Sequence, residues 1–370
     1  MKESPIAGTR RGVRVDWETL RSFCEEVLGA AGVPHDEARI VAPSLVDADL
    51  AGMKSHGVTR LNDYLLRMEQ GLMTPTTKID VVRETPSTAL LDANDGWGQV
   101  ASERAVELVV AKAREVGSAW VGVRNSNHNG TAAYWTIKIA REGMIGICSM
   151  NTSPVMAAHG SKRPTLGTNP LSIAVPSSSG SPVVLDMATS NQARGKIILA
   201  AKNNDPIPEG WGITSEGLPT TDAKEALKGS VLPLGGPKGS GLAIMLDILT
   251  GVLTGAEFGA KMPRMYDDPQ PQRVGHMFSA ISVEAFMPMT DFLSRMDQKE
   301  QETRQGPPAP GFERVSMPGD GTHERMATHR KDGIPLTDEV YADLLAAAAR
   351  YGVSPEPQKS TSISREGTQR

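Results

Sequence analysis

Apolar residues recur at helical spacing in the first third of the chain and again near its end. Asp16 stands where it can cap the first of these patterns, and Gly71 follows the third, where it can close a helix. The spacing predicts helices over 16–31, 35–49, 57–70, 98–116, 131–141, 239–253, 291–305 and 337–351. The two ends of the chain are therefore of one structural type.

From about residue 118 the pattern changes to short apolar runs separated by turn residues. The runs predict strands over 88–92, 119–124, 145–150, 171–176, 183–186 and 276–286. We infer an α/β protein in which 13–117 and 291–352 form one discontinuous, mainly helical domain around a mixed α/β domain at 118–290. Residues 1–12 and 355–370 are polar and aperiodic, which predicts disordered tails.

Composition narrows the class of protein. The chain has 370 residues, of which 39% are hydrophobic and 22% charged, and a net charge of −4, so it is an ordinary globular chain with no nucleic-acid-binding surface. Cys24 and Cys148 have apolar neighbours and are predicted to be buried and unpaired. The N-terminus lacks a secretory signal, and the most apolar window, 239–256, contains Asp247, so we expect a cytoplasmic protein with no membrane span.

The segment Lys54 to Arg60 contains the first candidate chemistry. His56 and Arg60 stand four residues apart at the start of a predicted helix, so their side chains are expected to point the same way. Imidazole moves protons near neutral pH, and the guanidinium fork matches a carboxylate. The pair indicates acid/base chemistry beside a substrate carboxylate, with a solvated helix face as the alternative.

The second candidate is His128, in the polar segment Asn125 to Gly130 between a strand and a helix. Such a junction exposes helix-terminal N–H groups to an anion or a carbonyl. His128 is therefore either a cofactor or substrate ligand or a turn histidine that caps its own helix.

A glycine-rich segment, Leu232 to Gly241, leads directly into an apolar helix and contains Lys238. Closely spaced glycines allow the backbone to approach a ligand, and a helix start with a lysine favours phosphate. The segment matches neither GxGxxG nor GxxxxGK[ST], so the alternative is a packed glycine-rich turn.

Two further segments carry hydroxyl and amide groups after strands. Asp186 to Lys196 can contact phosphate or ribose, or Thr189 and Ser190 can cap a following helix. Gly167 to Pro170 is either a substrate-facing loop or an ordinary turn. No metal-binding motif is present, and the histidines outside the candidate segments, including His276 and His329, are predicted to have surface or capping roles.

Taken in order, these segments resemble the malate/L-lactate dehydrogenase family, whose relatives include ureidoglycolate, sulfolactate and diketogulonate dehydrogenases and cyclic-imine reductases. The match runs from about Asp16 to Tyr351. Its motifs are Ser55-His56-Gly57 with Arg60 and Tyr64, Ser126-Asn127-His128 with Gly130, Gly167-Thr168-Asn169-Pro170, Asp186-Met187-Ala188-Thr189-Ser190, Pro233 to Gly241, and Pro318-Gly319-Asp320 ahead of Gly333 to Leu336.

The resemblance implies an oxidoreductase that uses NAD or NADP, usually a homodimer, with a central cofactor domain on a largely antiparallel sheet rather than a Rossmann fold. By position, His56 matches the proton donor/acceptor and Arg60 a group near the substrate carboxylate. His128, the second residue assigned to catalysis, matches a group by the nicotinamide or the substrate. Ser55, Tyr64, Thr168 and Asn169 are assigned to the substrate. The positions assigned to the cofactor are His128, Met187, Ala188, Thr189, Ser190, Asn191, Gln192, Ala193, Pro237, Lys238, Pro318, Gly319 and Asp320.

The expected reaction is hydride transfer between a small 2-hydroxy acid and the nicotinamide, with His56 as acid/base. Two alternatives stay open: reduction of a cyclic imine 2-carboxylate, and a non-catalytic binding protein on the same fold. The sequence departs from the family pattern at Asn129, Ala133 and Asp320 and over 197–211, which bears on the identity of the substrate.

Overall fold

The fold is described from a computed structural model that covers residues 12–265 and 268–354. The predicted tails, 1–12 and 355–370, lie outside these residues except for Gly12, which begins the first strand. No helix in the described ranges is long and apolar enough to cross a membrane.

The elements alternate in type along the chain. The helices are α1 (Trp17–Ala30), α2 (His35–Leu50), α3 (Thr59–Glu69), α4 (Gly98–Val116), α5 (Ala132–Arg141), α6 (Arg194–Asn203), α7 (Ala223–Lys228), α8 (Pro237–Asp247), α9 (Met289–Arg304), α10 (Asp320–Asp332) and α11 (Asp338–Arg350). The strands are β1 (Gly12–Val15), β2 (Asp80–Glu84), β3 (Thr88–Asp92), β4 (Ser118–Ser126), β5 (Met144–Met150), β6 (Met156–Ala157), β7 (Pro164–Leu166), β8 (Leu171–Val175), β9 (Val183–Met187), β10 (Gly212–Ile213), β11 (Ser230–Val231), β12 (Val274–Ser282) and β13 (Ile334–Thr337). Lys54–His56, Gly259–Lys261 and Val283–Ala285 are 3₁₀ turns, and Ile248–Val252 is a π-helical turn.

Packing divides the described residues into two units. The helical unit comprises 12–66, 309–313 and 320–354, and the sheet unit comprises 67–308 and 314–319. The contacts thus change unit at Leu66 and Arg67, within α3, whereas the sequence placed a domain boundary near 117. The predicted domain assignment itself stays a prediction.

In the helical unit, α1 and α10 pack against α2, and α11 packs against a two-stranded sheet. Asp16 accepts the N–H of Thr19 and caps α1, as predicted. Strands β1 and β13 pair in antiparallel register, with Gly12 opposite Thr337. The first described strand therefore pairs with the last one in a small sheet.

The sheet unit is built on a seven-stranded sheet of order β2-β3-β4-β12-β5-β8-β9. Among its described strands β3 and β4 run parallel and the other neighbours run antiparallel, so the predicted largely antiparallel, non-Rossmann α/β fold is confirmed. Helices α4 and α5 pack against this sheet. A second sheet of order β10-β11-β6-β7 has its own apolar core around Met156, Ile197 and Val231.

The predicted elements are found within a few residues of their expected ends, with one clear exception. The strand predicted over 276–286 ends at Ser282, where the chain turns into the 3₁₀ segment Val283–Ala285. The sequence did not predict α6, α7, α10 or the strands β1, β2, β6, β7, β10, β11 and β13. Helix α10 buries no side chain, so no apolar face was available to reveal it.

Candidate active site

Predicted site residues gather in each of the two units. In the helical unit, His56 ends the 3₁₀ turn after α2, and its N–H donates to Met53 O at 2.8 Å. Ser55 Oγ lies 2.8 Å from His56 Nδ1, which fixes the ring orientation. Burial and the neighbouring Arg60 guanidinium lower the pKa of His56 to about 4. The imidazole is therefore neutral at pH 7, the form in which a ring nitrogen has a free lone pair.

Arg60 lies in the first turn of α3 and is held by its own segment. Its Nε donates to Ser55 O at 2.6 Å, and its Nη1 pairs with Asp63 Oδ2 at 2.9 Å. The guanidinium is thus oriented by the residue that orients His56, and it shares its charge with Asp63. Tyr64, one turn further along, is fully buried.

Asp49 supports this turn from the end of α2. Its Oδ2 accepts the N–H of Val58 at 2.7 Å, and a Cβ on Gly57 would lie 2.2 Å from the carboxylate atoms. Only glycine leaves room for this contact. The sequence predicted Asp49 merely as the end of a helix, because the fold, not local spacing, brings it to Gly57.

In the sheet unit, the segment around His128 joins β4 to α5. Asn127 Nδ2 donates to Asp95 O at 3.0 Å and to Gly96 O at 2.8 Å, and these bonds attach the segment to the loop that precedes α4. His128 Nδ1 accepts the Gly130 N–H at 3.3 Å, a contact within the turn and not a cap of α5, which begins at Ala132. Its contact with cofactor or substrate stays a prediction.

Asn129 departs from the family pattern and serves the core. It is fully buried, its Nδ2 donates to Ser102 Oγ at 2.8 Å, and its carbonyl accepts Trp135 Nε1 at 3.0 Å. Asp186 was quoted in a motif without a role. Its carboxylate accepts the Ala133 N–H at the start of α5, and burial raises its pKa to about 6.

Three predicted segments meet at Thr189. Its N–H and Oγ1 both donate to Thr168 O at 2.9 Å, and its carbonyl accepts the Leu234 N–H at 2.9 Å. Asn191 N–H donates to Leu232 O at 2.7 Å, which extends the junction. The segments 167–170, 187–193 and 232–241 thus form one loop cluster.

Within this loop cluster some predicted ligands have structural contacts. Asn169 is fully buried, accepting the Thr152 N–H at 3.1 Å and donating to Ala243 O at 3.1 Å. Ser190 Oγ donates to Gln192 O, and α6 begins after Ala193 with no side-chain cap. The alternative that Thr189 or Ser190 caps the following helix is therefore wrong.

The glycine-rich segment has the geometry of a phosphate cradle. Gly235 and Gly236 adopt positive φ angles of 59° and 62°, and a Cβ on Gly239 would lie 2.3 Å from Leu234 O. Pro237 starts α8 and has no N–H, so among the described residues the Lys238 N–H is the donor without a hydrogen-bond partner at this helix start. Lys238 itself is exposed. These features fit a pyrophosphate-bearing nucleotide.

The C-terminal motif divides between the units. Pro318 O accepts the Val184 N–H at 3.1 Å, which places it against β9, the strand that ends at Met187. Gly319 has φ 98° and is the last residue of the sheet unit, while Asp320 begins α10 in the helical unit.

The remaining histidines and cysteines were mostly placed correctly. Cys24 and Cys148 are buried and free, and His329 Nδ1 donates to Leu50 O at 2.9 Å, capping α2. His276 is a correction: it is fully buried on β12, with Nε2 2.9 Å from Ser126 Oγ, because its strand is central in the sheet. In the described ranges, no group of three or more metal-ligating side chains converges.

The chain is similar to known proteins in sequence and in architecture. The family model for malate/L-lactate dehydrogenase matches residues 15–345. The chain belongs to this family. It is 40% identical to the malate dehydrogenase of Pyrococcus abyssi over 349 residues, covering 92% of this chain and 96% of that protein. It is also 40% identical to the L-sulfolactate dehydrogenase of Methanocaldococcus jannaschii over 339 residues, covering 92% and 97%.

Solved structures extend the likeness to the whole fold. The sulfolactate dehydrogenase from Methanocaldococcus jannaschii superposes with a TM-score of 0.87 at 37% identity, covering 92% of this chain and 98% of that one. The delta1-piperideine-2-carboxylate reductase from Pseudomonas syringae pvar.tomato gives 0.81 at 26% identity, covering 90% and 99%.

Membership of this family fixes the reaction class. The chain is an NAD(P)-dependent oxidoreductase of the 2-hydroxy-acid dehydrogenase class. Relatives include a ureidoglycolate dehydrogenase named for NAD(+) and a (2R)-3-sulfolactate dehydrogenase named for NADP(+), so both cofactors occur.

Proposed function

We propose that this dehydrogenase oxidises a small malate- or lactate-like 2-hydroxy acid, with His56 accepting the hydroxyl proton. The observation that supports this role is the pairing of Ser55 Oγ with His56 Nδ1 at 2.8 Å, which orients the imidazole ring; Nε2 is proposed to exchange the proton. The lowered pKa of His56 keeps the ring neutral at pH 7, the form that a base needs.

Arg60 is proposed to hold the substrate carboxylate. Its guanidinium is oriented by Ser55 O and by Asp63, so little conformational freedom remains to be lost when a carboxylate binds. Thr168 and Asn169 are proposed to act at the far end of the substrate. For Asn169 the buried contacts described above support an indirect role, through the shape of its loop.

The bound nicotinamide supplies the acceptor for the hydride that leaves C2. Lys238 and the start of α8 are proposed to hold the cofactor phosphates, and Met187 to Ala193 to line its sugar and ring. The Lys238 N–H at the start of α8 and the exposed Lys238 side chain support this role, while the close contact of Gly239 with Leu234 O fixes the shape of the turn.

The test is His56→Asn, which keeps a polar side chain of similar size but removes the base. We expect kcat for hydroxy-acid oxidation to fall on the order of 10²–10⁴-fold, while reduced-cofactor binding, followed by fluorescence, changes little. The panel is malate, lactate, ureidoglycolate and sulfolactate, each with NAD+ and NADP+. Turnover near that of the unsubstituted chain would remove His56 from this role.

A second candidate is reduction of a cyclic imine 2-carboxylate. It is supported by the likeness to delta1-piperideine-2-carboxylate reductase, at the lower identity of 26%. The same residues serve it, since an imine carboxylate offers Arg60 the same anion and needs a proton at nitrogen. Paired reductive assays with a keto acid and a cyclic imine distinguish the two; oxidation and reduction both absent would favour a binding protein.

We also propose that the chain is a homodimer. An apolar strip on α8 and the π-helical turn, consisting of Ile244, Met245, Ile248, Val252 and Leu253, is at least 40% exposed at every position. Exposed strips of this kind favour association. Light scattering at micromolar concentration checks the mass, and a monomer would contradict the proposal.

A further inference from the structure

Asp49 is a buried carboxylate to which the proposed proton transfer at His56 gives no direct chemical role. It is 3% exposed, and its Oδ2 accepts the Val58 N–H at 2.7 Å. Its carboxylate also lies against Gly57, where a Cβ would come within 2.2 Å. These two contacts hold the Gly57–Val58 peptide, which begins one residue after His56.

The backbone of Asp49 is fixed by a different element. His329 on α10 donates from Nδ1 to Leu50 O at 2.9 Å and lies 3.2 Å from Asp49 O, and Arg325 Nε donates to Ala51 O at 3.1 Å. The end of α2 is therefore anchored independently of the turn. Because its backbone is anchored, the Asp49 carboxylate can hold the turn in place; a mobile carboxylate would move together with the turn.

Hydrogen bonds through Arg60 and Ser55 connect the Gly57–Val58 peptide to the His56 imidazole. Arg60 N–H donates to Gly57 O at 3.0 Å, while Arg60 Nε holds Ser55 O and Ser55 Oγ meets His56 Nδ1. A displacement of the Gly57–Val58 peptide is thus passed to both functional side chains.

We propose that Asp49 is a positioning residue for proton transfer at His56. Its carboxylate clamps the Gly57–Val58 peptide and so maintains the orientation of the imidazole ring. This inference rests on the proposed role of His56. It requires no contact between Asp49 and the substrate.

The clamp depends on the charge of Asp49. The titratable and charged groups around it are Cys24 on α1, Lys54 in the turn, and His329 and Arg325 on α10. Burial raises the pKa of Asp49 to about 7, although the Val58 N–H and Lys54 oppose this shift. The bond to Val58 is charge-assisted above that pH and weaker below it.

The experiment compares Asp49→Ala, Asp49→Asn and the control Ser44→Ala. Ser44 is also buried on α2, but its hydroxyl donates only to Val41 O in its own helix. Asp49→Ala removes the clamp and should lower kcat on the order of 10–10²-fold, with the KM for the nicotinamide cofactor nearly unchanged. Asp49→Asn keeps an oxygen acceptor and should recover part of the loss, and Ser44→Ala should keep full kcat.

The pH profile separates positioning from a general loss of fold. The unsubstituted chain should show a several-fold step in kcat/KM near pH 7, superimposed on the fall near pH 4 that belongs to His56, and Asp49→Asn should lack only the step. Unaltered kcat in a folded Asp49→Ala protein would overturn the inference, as would an Asp49→Asn profile that keeps the step. If His56→Asn is inactive while Asp49→Ala is normal, the inference fails and the proposed function stands; if His56→Asn is also normal, both fail.

Discussion

The turn that carries His56 and the loop cluster around Thr189 are held together by different kinds of bond. The turn is fixed mainly by side-chain hydrogen bonds. The Asp49 carboxylate accepts the Val58 N–H, and Ser55 Oγ pairs with Nδ1 of the His56 ring. In the loop cluster, three main-chain bonds between described residues join the segments, from Thr189 to Thr168, from Leu234 to Thr189 and from Asn191 to Leu232, and the Thr189 hydroxyl adds one side-chain bond to Thr168 O.

The difference separates two ways in which a substitution can act. Side-chain changes in the turn should alter the proton-transfer step, because side chains determine the orientation of the imidazole. In the loop cluster the backbone makes the shape, so glycine positions should matter most and should act on cofactor binding. Each prediction below tests one side of this contrast.

The largest effect is expected for Gly57→Ala. The new Cβ would lie 2.2 Å from the Asp49 carboxylate, so either that side chain or the turn must move. We expect kcat to fall at least about 10²-fold with cofactor binding retained, measured by steady-state kinetics and reduced-cofactor fluorescence. Gly29→Ala, in the helical unit with open space at its Cβ, is the matched control and should keep full activity. Weaker cofactor binding in Gly57→Ala would break the contrast.

Gly239→Ala should act on binding rather than turnover. Its Cβ would lie 2.3 Å from Leu234 O, the same carbonyl that accepts the Gly239 N–H, so the glycine-rich segment must shift. We expect the cofactor KM to rise about 10-fold or more, with a smaller change in kcat. Gly29→Ala, outside the loop cluster and with nothing within 4 Å of its Cβ, is again the control and should leave both constants unchanged.

Lys238→Gln should produce a milder version of the same change. Lys238 is exposed, so its attraction to cofactor phosphates is screened by water and salt. A rise of about 3–10-fold in cofactor KM at low salt is expected, shrinking in 0.5 M salt. Lys224→Gln, an exposed lysine at the start of α7, is the control; equal effects of the two would mean that only net charge matters.

The smallest and most diagnostic effect is on stability, where one buried group in each unit responds to pH with opposite sign. The raised pKa of Asp49, from 3.8 to about 7, means that its ionised form costs folding free energy increasingly as pH rises through that window. Burial lowers the pKa of His276 from 6.5 to about 3, so stability is lost as pH falls below 6.5.

Denaturant unfolding at pH 5 and pH 8 measures both slopes. Relative to the unsubstituted chain, Asp49→Asn should gain more stability at pH 8 than at pH 5. His276→Asn should lose less stability than the unsubstituted chain between pH 8 and pH 5, a difference on the order of 1–2 kcal/mol. Slopes of the same sign would contradict the assignment of these two groups.

The sequence predicted what depends on local spacing. Period and capping placed α1 and six of the seven strands of the large sheet. The motifs, taken in their order along the chain, identified the family that the comparison with known proteins confirmed. These features need only near neighbours in the chain, or similarity at quoted positions. The expectation that His56 and Arg60 lie on one helix is wrong, because an extended Gly57 separates the 3₁₀ turn that ends at His56 from α3, which carries Arg60.

What the sequence missed depends on pairing between distant segments. Strand β13 includes Pro335 and is four residues long, so its pairing with β1 has no local signal. Asp49 becomes a partner of Gly57 only because the chain folds back after α2. Likewise His276 became buried through the position of β12 between β4 and β5, which its own neighbours in sequence do not encode.

The pairing of β1 with β13 bears on how the protein is made. Translation delivers β1 first and β13 near the end, with the entire large sheet in between. A nascent chain can therefore finish its loop cluster while the unit containing His56 still lacks its closing strand. The helical unit, which contains His56, is therefore complete only after β13 and α11, the last described elements, have been made.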